Sequence, residues 1–142
     1  DVCSSDLLLL SKLPSLEGDK VTFIGSTFMN YGEKEPNKNH CIVLGDCDEV
    51  KGAEIVCVDN EKELLLEWSK VIQRENPDII IGYNIFGFDY EFMFQRSKET
   101  GCVSEFLKLS RDRDHISKKD NKGFQGDIQI MNTKVMLASS EW

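Results

Sequence analysis

The apolar residues of this chain change their period, and that change limits the folds open to it. From Lys20 to Gly32 they fall mostly at alternate positions, and two short apolar runs follow between turn-like stretches; from Asn60 they recur every three or four residues; at Pro77 the helical pattern breaks. Alternation puts successive side chains on opposite sides of an extended strand, whereas helical spacing gathers them on one side of a cylinder. A chain that reads strand, strand, strand, helix and then enters a β-branched run must stack helices on a sheet to bury both kinds of face.

In the first run Val21, Phe23, Thr27, Met29 and Tyr31 take one face and Ile24 and Phe28 the other, which predicts a strand covered on both sides. Residues 32–39 hold Gly32, Pro36, Asn37 and Asn39 among charges and predict a turn. Cys41 to Leu44 then closes a hairpin, Gly45 to Gly52 is a second turn, and Glu54 to Val58 is a short strand. Leu64, Leu65, Trp68, Val71 and Ile72 line one side of a helix, and Asn60 with Glu63 has the form of a capping box at its start. Asn76-Pro77 ends that helix, because proline has no N–H to donate and its ring disfavours helical angles at the preceding residue. Ile79-Ile80-Ile81 lacks alternation and predicts a central strand buried on both faces. Residues 82–88 read as a loop; a second helix starts at Asp89 or Tyr90, with Tyr90, Met93, Phe94 and Ser97 as its stripe and Gly101 as its C-cap. The fold class expected is α/β, a mixed sheet flanked by helices, in which ligands gather at the carboxyl ends of the central strands.

At 142 residues and 40% hydrophobic content, the chain fits one domain or part of one. Asp1 is not an initiator Met, and the chain closes on Ser139 to Trp142 where Ile128 to Leu137 reads as entering a new element, so a fragment is expected. None of the five cysteines belongs to a C-x-x-C pair, and they read as reduced thiols of an intracellular protein. Leu7 to Leu10 is too short for a signal peptide or a membrane span, and no membrane partner is expected. A formal charge of −8 argues against charge-driven duplex binding. Residues 108–122 depart from it, with six Lys and Arg against three Asp, a local net of +3 that reads as a solvated loop or, alternatively, a phosphate-contacting strip. His40 and His115 have no ligand-forming neighbours, and Asp46, Asp48 and Glu49 lack the rest of a calcium loop.

One carboxylate stands out. Asp89 lies past the Ile79 to Ile81 run at the mouth of a helix, beside Asn84 and the aromatics Tyr83, Phe86 and Phe88. From context alone it reads equally as a helix cap and as a carboxylate reaching a cleft above the sheet. The aromatics likewise read as core or as stacking platforms. Asp1 would sit at the matching end of a first strand, where two carboxylates could share a divalent cation.

The run Gly82-Tyr83-Asn84-Ile85-Phe86-Gly87-Phe88-Asp89 resembles the second exonuclease motif of family B DNA polymerases, Y-N-x-x-x-F-D. Asn76 to Ile81 and Tyr90 to Phe94 match the surroundings of that motif; Asp1 to Ser5 resembles the first motif, and Phe106 to Arg111 resembles a segment of the eukaryotic delta type and its large-DNA-virus relatives. The resemblance implies a ribonuclease H-like proofreading domain, partial over residues 1–142, that hydrolyses phosphodiester bonds at a primer 3′ end with two Mg²⁺ or Mn²⁺ ions. It assigns Asp1 and Asp89 as metal-binding catalytic carboxylates and Asn84 and Phe88 as contacts to single-stranded or frayed primer DNA, with Tyr83 structural. It implies the remaining polymerase domains as partners and, as location, the nucleus of a eukaryote or a viral replication compartment. The chain departs from the pattern twice. The glutamate that follows Asp-Val in the first motif has no counterpart before Cys3, and none of Tyr31, Tyr83 and Tyr90 has Asp four residues on, so the third motif, Y-x-x-x-D, is absent. With carboxylates missing, these residues alone are expected to be weakly active or inactive; the alternative is a non-catalytic strand-binding or scaffold segment of a polymerase.

Overall fold

Alternation becomes strand in the computed structural model, which describes residues 15, 17–83 and 85–109. Strands β1 (Phe23–Phe28), β2 (Lys38–Leu44) and β3 (Glu54–Val58) form a mixed sheet in the order β1-β2-β3. The expected hairpin is present: β1 and β2 are antiparallel, with Phe23 opposite Val43 and Phe28 opposite Lys38. Its second strand begins at Lys38 rather than Cys41, because the turn closes early with Asn37 N–H donating to Phe28 O at 2.9 Å. β2 and β3 run parallel, His40 opposite Glu54 and Leu44 opposite Val58. Residues 45–53 therefore return the chain along the length of the sheet without a helix.

The helical stretch forms as its spacing predicts. Helix α1 (Glu61–Glu75) starts at Asn60, which is extended and accepts a hydrogen bond from Glu63 N–H at 3.0 Å. It ends at Asn76, whose φ of 48° and ψ of 54° take the left-handed region that a short polar side chain tolerates and that Pro77 leaves open. The face carrying Leu64, Leu65, Trp68, Val71 and Ile72 is buried against all three strands. Helices α2 (Tyr90–Glu99) and α3 (Val103–Phe106) pack on α1 and not on the sheet. Gly101, with φ of 69°, follows α2 as expected of a residue that must adopt the left-handed region to stop a helix.

Two expectations require correction. β1 is covered on one side only among the described residues: Ile24, Ser26 and Phe28 are half-buried under α1, while Phe23 is 66% exposed and Met29 and Tyr31 are exposed beyond it. The described helices all stack on one side, so no described helix covers the alternate residues of β1, of which Thr27 donates to Asn39 Oδ1 of β2 at 3.0 Å. The Ile79 to Ile81 run is not a strand among the described residues; Ile80 packs against the core, but Ile79 and Ile81 are exposed. A β-branched run becomes a strand only where a neighbour completes its backbone ladder, and the described sheet ends at β1 and β3 without reaching it.

His40 points from β2 into the core and is 2% exposed. Among the described residues its Nε2 has no hydrogen-bond partner, since Glu54 Oε1 stands 3.8 Å away. Burial holds the imidazole below its ordinary value of 6.5, aided by the charges of Arg74 and Lys38 and opposed by Glu54 and Glu67. The ring is therefore neutral, and the Glu54 contact is not an ion pair at neutral pH. The unfolded chain takes up the proton first as pH falls, so the stability His40 contributes is complete above 6.5 and declines toward the lower folded value. An NMR titration should give a His40 midpoint below 6.5, with the denaturant midpoint falling between about pH 7.5 and about pH 5.5.

Candidate functional site

The segment that joins α1 to α2 is built around close approach. Gly82 passes against the side chain of Ile85, and a Cβ there would overlap Ile85 Cγ2, so the position admits glycine alone without displacing its neighbour. Residues 85–89 then wind into one π-helical turn, correcting the expectation of a loop through Phe88. A π turn inserts an extra residue into the helical path and redirects the side chains that precede the α-helix, a device frequent at functional sites.

Asp89 closes that turn with φ of −61° and ψ of −48°, already on the helical path of α2, and its side chain makes no capping hydrogen bond. The cap reading is thereby removed. The residue is exposed. Nevertheless, the protein around it excludes enough water to push its carboxyl above the ordinary 3.8, against a hydrogen bond at its own backbone. Among the described residues no cationic side chain contributes to that balance. Its neighbour Tyr90 is 5% exposed, and burial together with the Asp89 charge pushes its phenol up to about 12, so the hydroxyl stays neutral.

Phe88 is half-buried, and its ring lies 5.7 Å from that of Phe92, one turn on, with an interplanar angle of 8°. The pair makes a stacked two-ring unit beside Asp89. Tyr83, expected to be structural, is 96% exposed, because the extended residues before it lie off the described sheet. Asp1 and Asn84 lie outside the described residues, so the structure brings only Asp89 and Phe88 together.

One constellation near Asp89 was not singled out from sequence. Arg96, on α2, donates from Nε to Glu61 Oε1 at 2.7 Å and from Nη2 to Glu61 Oε2 at 2.8 Å, and also pairs with Glu99 through Nη1. Glu61 Oε1 further accepts from Val21 N–H at 2.9 Å. Burial raises the Glu61 carboxyl, but the Arg96 fork, the Val21 N–H and the Arg96 charge outweigh it and hold the group below its ordinary range. The signal available in sequence was Arg96 standing three residues after Met93, inside the apolar stripe of α2, since a charge placed there requires a partner.

A divalent cation would be held by hard oxygen donors. Asp89 fits that role in its chemistry: it is an exposed carboxylate that no described cationic side chain satisfies. Among the described residues no group of three or more His, Cys, Asp or Glu side chains converges on one point, so Asp89 would be one ligand of a set completed elsewhere. No helix among the described residues is long and apolar enough to cross a membrane.

The family model described as DNA polymerase family B, exonuclease domain, matches residues 4–139. The DNA polymerase of Phaeocystis pouchetii virus is 45% identical over 139 residues, covering 91% of this chain and 13% of that protein. The DNA polymerase of Pyramimonas orientalis virus is 40% identical over 82% of this chain and 10% of its own length. The DNA polymerase delta catalytic subunit of Caenorhabditis elegans is 39% identical over 78% of this chain and 9% of its own length. The chain thus spans about an eighth or less of these relatives.

Proposed function

Because the chain belongs to the exonuclease-domain family of the family B DNA polymerases, we propose that it is the part of a longer replicative polymerase that removes nucleotides from a primer 3′ end. The observation that carries this reading is Asp89: a carboxylate released from capping, set at the mouth of α2 beside the Phe88–Phe92 stack. Phe88 would offer its ring to an unpaired terminal base, a contact worth roughly 1–3 kcal/mol per base and indifferent to sequence, as an editing site requires. Asn84 and Asp1 are proposed, by motif, as a second primer contact and a second metal-holding carboxylate. Two Mg²⁺ or Mn²⁺ ions bound there would supply activation of water and stabilisation of the leaving oxygen. The acidic body leaves duplex binding to other parts of the polymerase, and the proposed location is intracellular, in a nucleus or a viral replication compartment.

The missing first-motif glutamate favours one second reading, a non-catalytic strand-binding segment. A single experiment separates the two. With Mg²⁺ or Mn²⁺, the longer protein should release nucleotides stepwise from the 3′ end of labelled single-stranded DNA, whereas residues 1–142 alone should do so slowly or not at all. Binding without release in the longer protein would favour the second reading, and robust degradation by residues 1–142 would show that the missing carboxylates are dispensable.

A further inference from the structure

Glu61 and Arg96 are 6% and 5% exposed, which makes them the most deeply buried charged pair among the described residues. A buried ion pair is a poor device for stability, because desolvating two charges consumes most of the attraction between them; its best-attested use is to fix one register among several. Here the register is that of α2. The planar guanidinium meets both carboxylate oxygens at 2.7 and 2.8 Å, a fork-to-fork geometry that a rotation or slide of the helix would break. Glu61 is itself held at two points, by its place in the first turn of α1 and by the Val21 N–H that leads into β1. The fork therefore ties α2 to both the helix and the sheet that form the body of the fold.

Asp89 lies seven residues before Arg96 on the same helical path. Seven residues are nearly two full turns, so the two side chains leave the axis within about 20° of each other, separated by a rise of roughly 10 Å. Whatever sets the rotation of α2 at Arg96 also sets the direction of Asp89. The π turn ahead of Asp89 has no regular i→i−4 ladder to supply that restraint from the other side. We infer that Glu61 and Arg96 are positioning residues, a buried fork that fixes the rotation of α2 and with it the direction in which Asp89 projects. This rests on the proposed role of Asp89.

The test uses the full-length protein and three variants. Arg96→Lys keeps the charge but loses the fork, and Glu61→Leu/Arg96→Met replaces the buried charges by apolar groups of similar size; Asp89→Ala is the control. The first two should both stay folded at the assay temperature with unchanged KM for single-stranded DNA, although the double variant should unfold earlier than the wild type because Glu61→Leu leaves the Val21 N–H without its acceptor. Their kcat should fall, and the Mn²⁺ concentration for half-occupancy, read by calorimetry without DNA, should rise by about 10- to 100-fold. Arg96→Lys should be the milder of the two. If Arg96→Lys and the double variant keep wild-type kcat and Mn²⁺ affinity while Asp89→Ala is inert, the positioning role is overturned and the reading of Asp89 stands. If Asp89→Ala hydrolyses and binds Mn²⁺ normally, the reading of Asp89 falls and the positioning role with it.

Discussion

With Asp89 replaced by alanine, the full-length protein should release nucleotides from a 3′-labelled single strand about a thousandfold more slowly, the scale of loss for a group that works as part of a catalytic unit. The effect follows from the chemistry of the position. Among the described residues Asp89 is spent on no cap and no salt bridge: it makes no capping hydrogen bond, and no described cationic side chain contributes to its carboxyl. Its removal should therefore leave the fold intact, and the unfolding free energy should change by no more than about 0.5 kcal/mol, as at other exposed positions. Asp89→Asn separates charge from shape. It preserves the side-chain volume but removes the negative charge, and it should be nearly as inactive as alanine. Stepwise hydrolysis persisting in both variants would exclude Asp89 from the reaction.

The largest structural effect is expected at Trp68. Its ring stacks on Phe106 of α3 at 5.9 Å and meets Tyr90 of α2 edge-on at 6.1 Å, while its Nε1 donates to Ser26 Oγ of β1 at 3.3 Å. One side chain of α1 thus joins the sheet to both other helices. Trp68→Ala deletes those contacts together, and the helices cannot close the gap without leaving the strand that α1 covers. The loss should be about 3–5 kcal/mol, a large share of the roughly 5–15 kcal/mol that holds a domain folded. Trp68→Phe keeps the ring contacts and gives up the N–H bond and part of the area, so it should recover most of that stability. A denaturant midpoint for Trp68→Ala close to the wild type would show that the helices are held to the sheet by other contacts. Because Tyr90 adjoins Asp89, the alanine variant should also lose hydrolysis at temperatures where the wild type is folded.

Much of the fold was legible in the chain. Asn60 and Pro77 bracket α1 because their effects are local: one satisfies a free N–H at the helix start, the other cannot continue the backbone ladder. The pairing of β1 with β2 followed from a turn-forming stretch between an alternating run and a short apolar one. Ile79 to Ile81 was not legible, because hydrophobic β-branched residues record a preference for being covered, while the cover belongs to other parts of the chain. The sidedness of β1 was hidden for the same reason, since Phe23 and Met29 look like core residues until the helices are found on the opposite face.

The candidate site divides along the same line. Sequence alone singled out Asp89 and Phe88, because a motif is a local order of residues and those two are adjacent. Tertiary structure decided that Asp89 does not cap α2, that Phe88 lies against Phe92, and that Arg96 reaches Glu61 across 35 positions of chain. Chain order therefore determined the three described strands, α1, α2 and the proposed carboxylate. The direction of that carboxylate depends on a π turn and a buried ion pair, whose energies arise only when distant segments exclude water from one another.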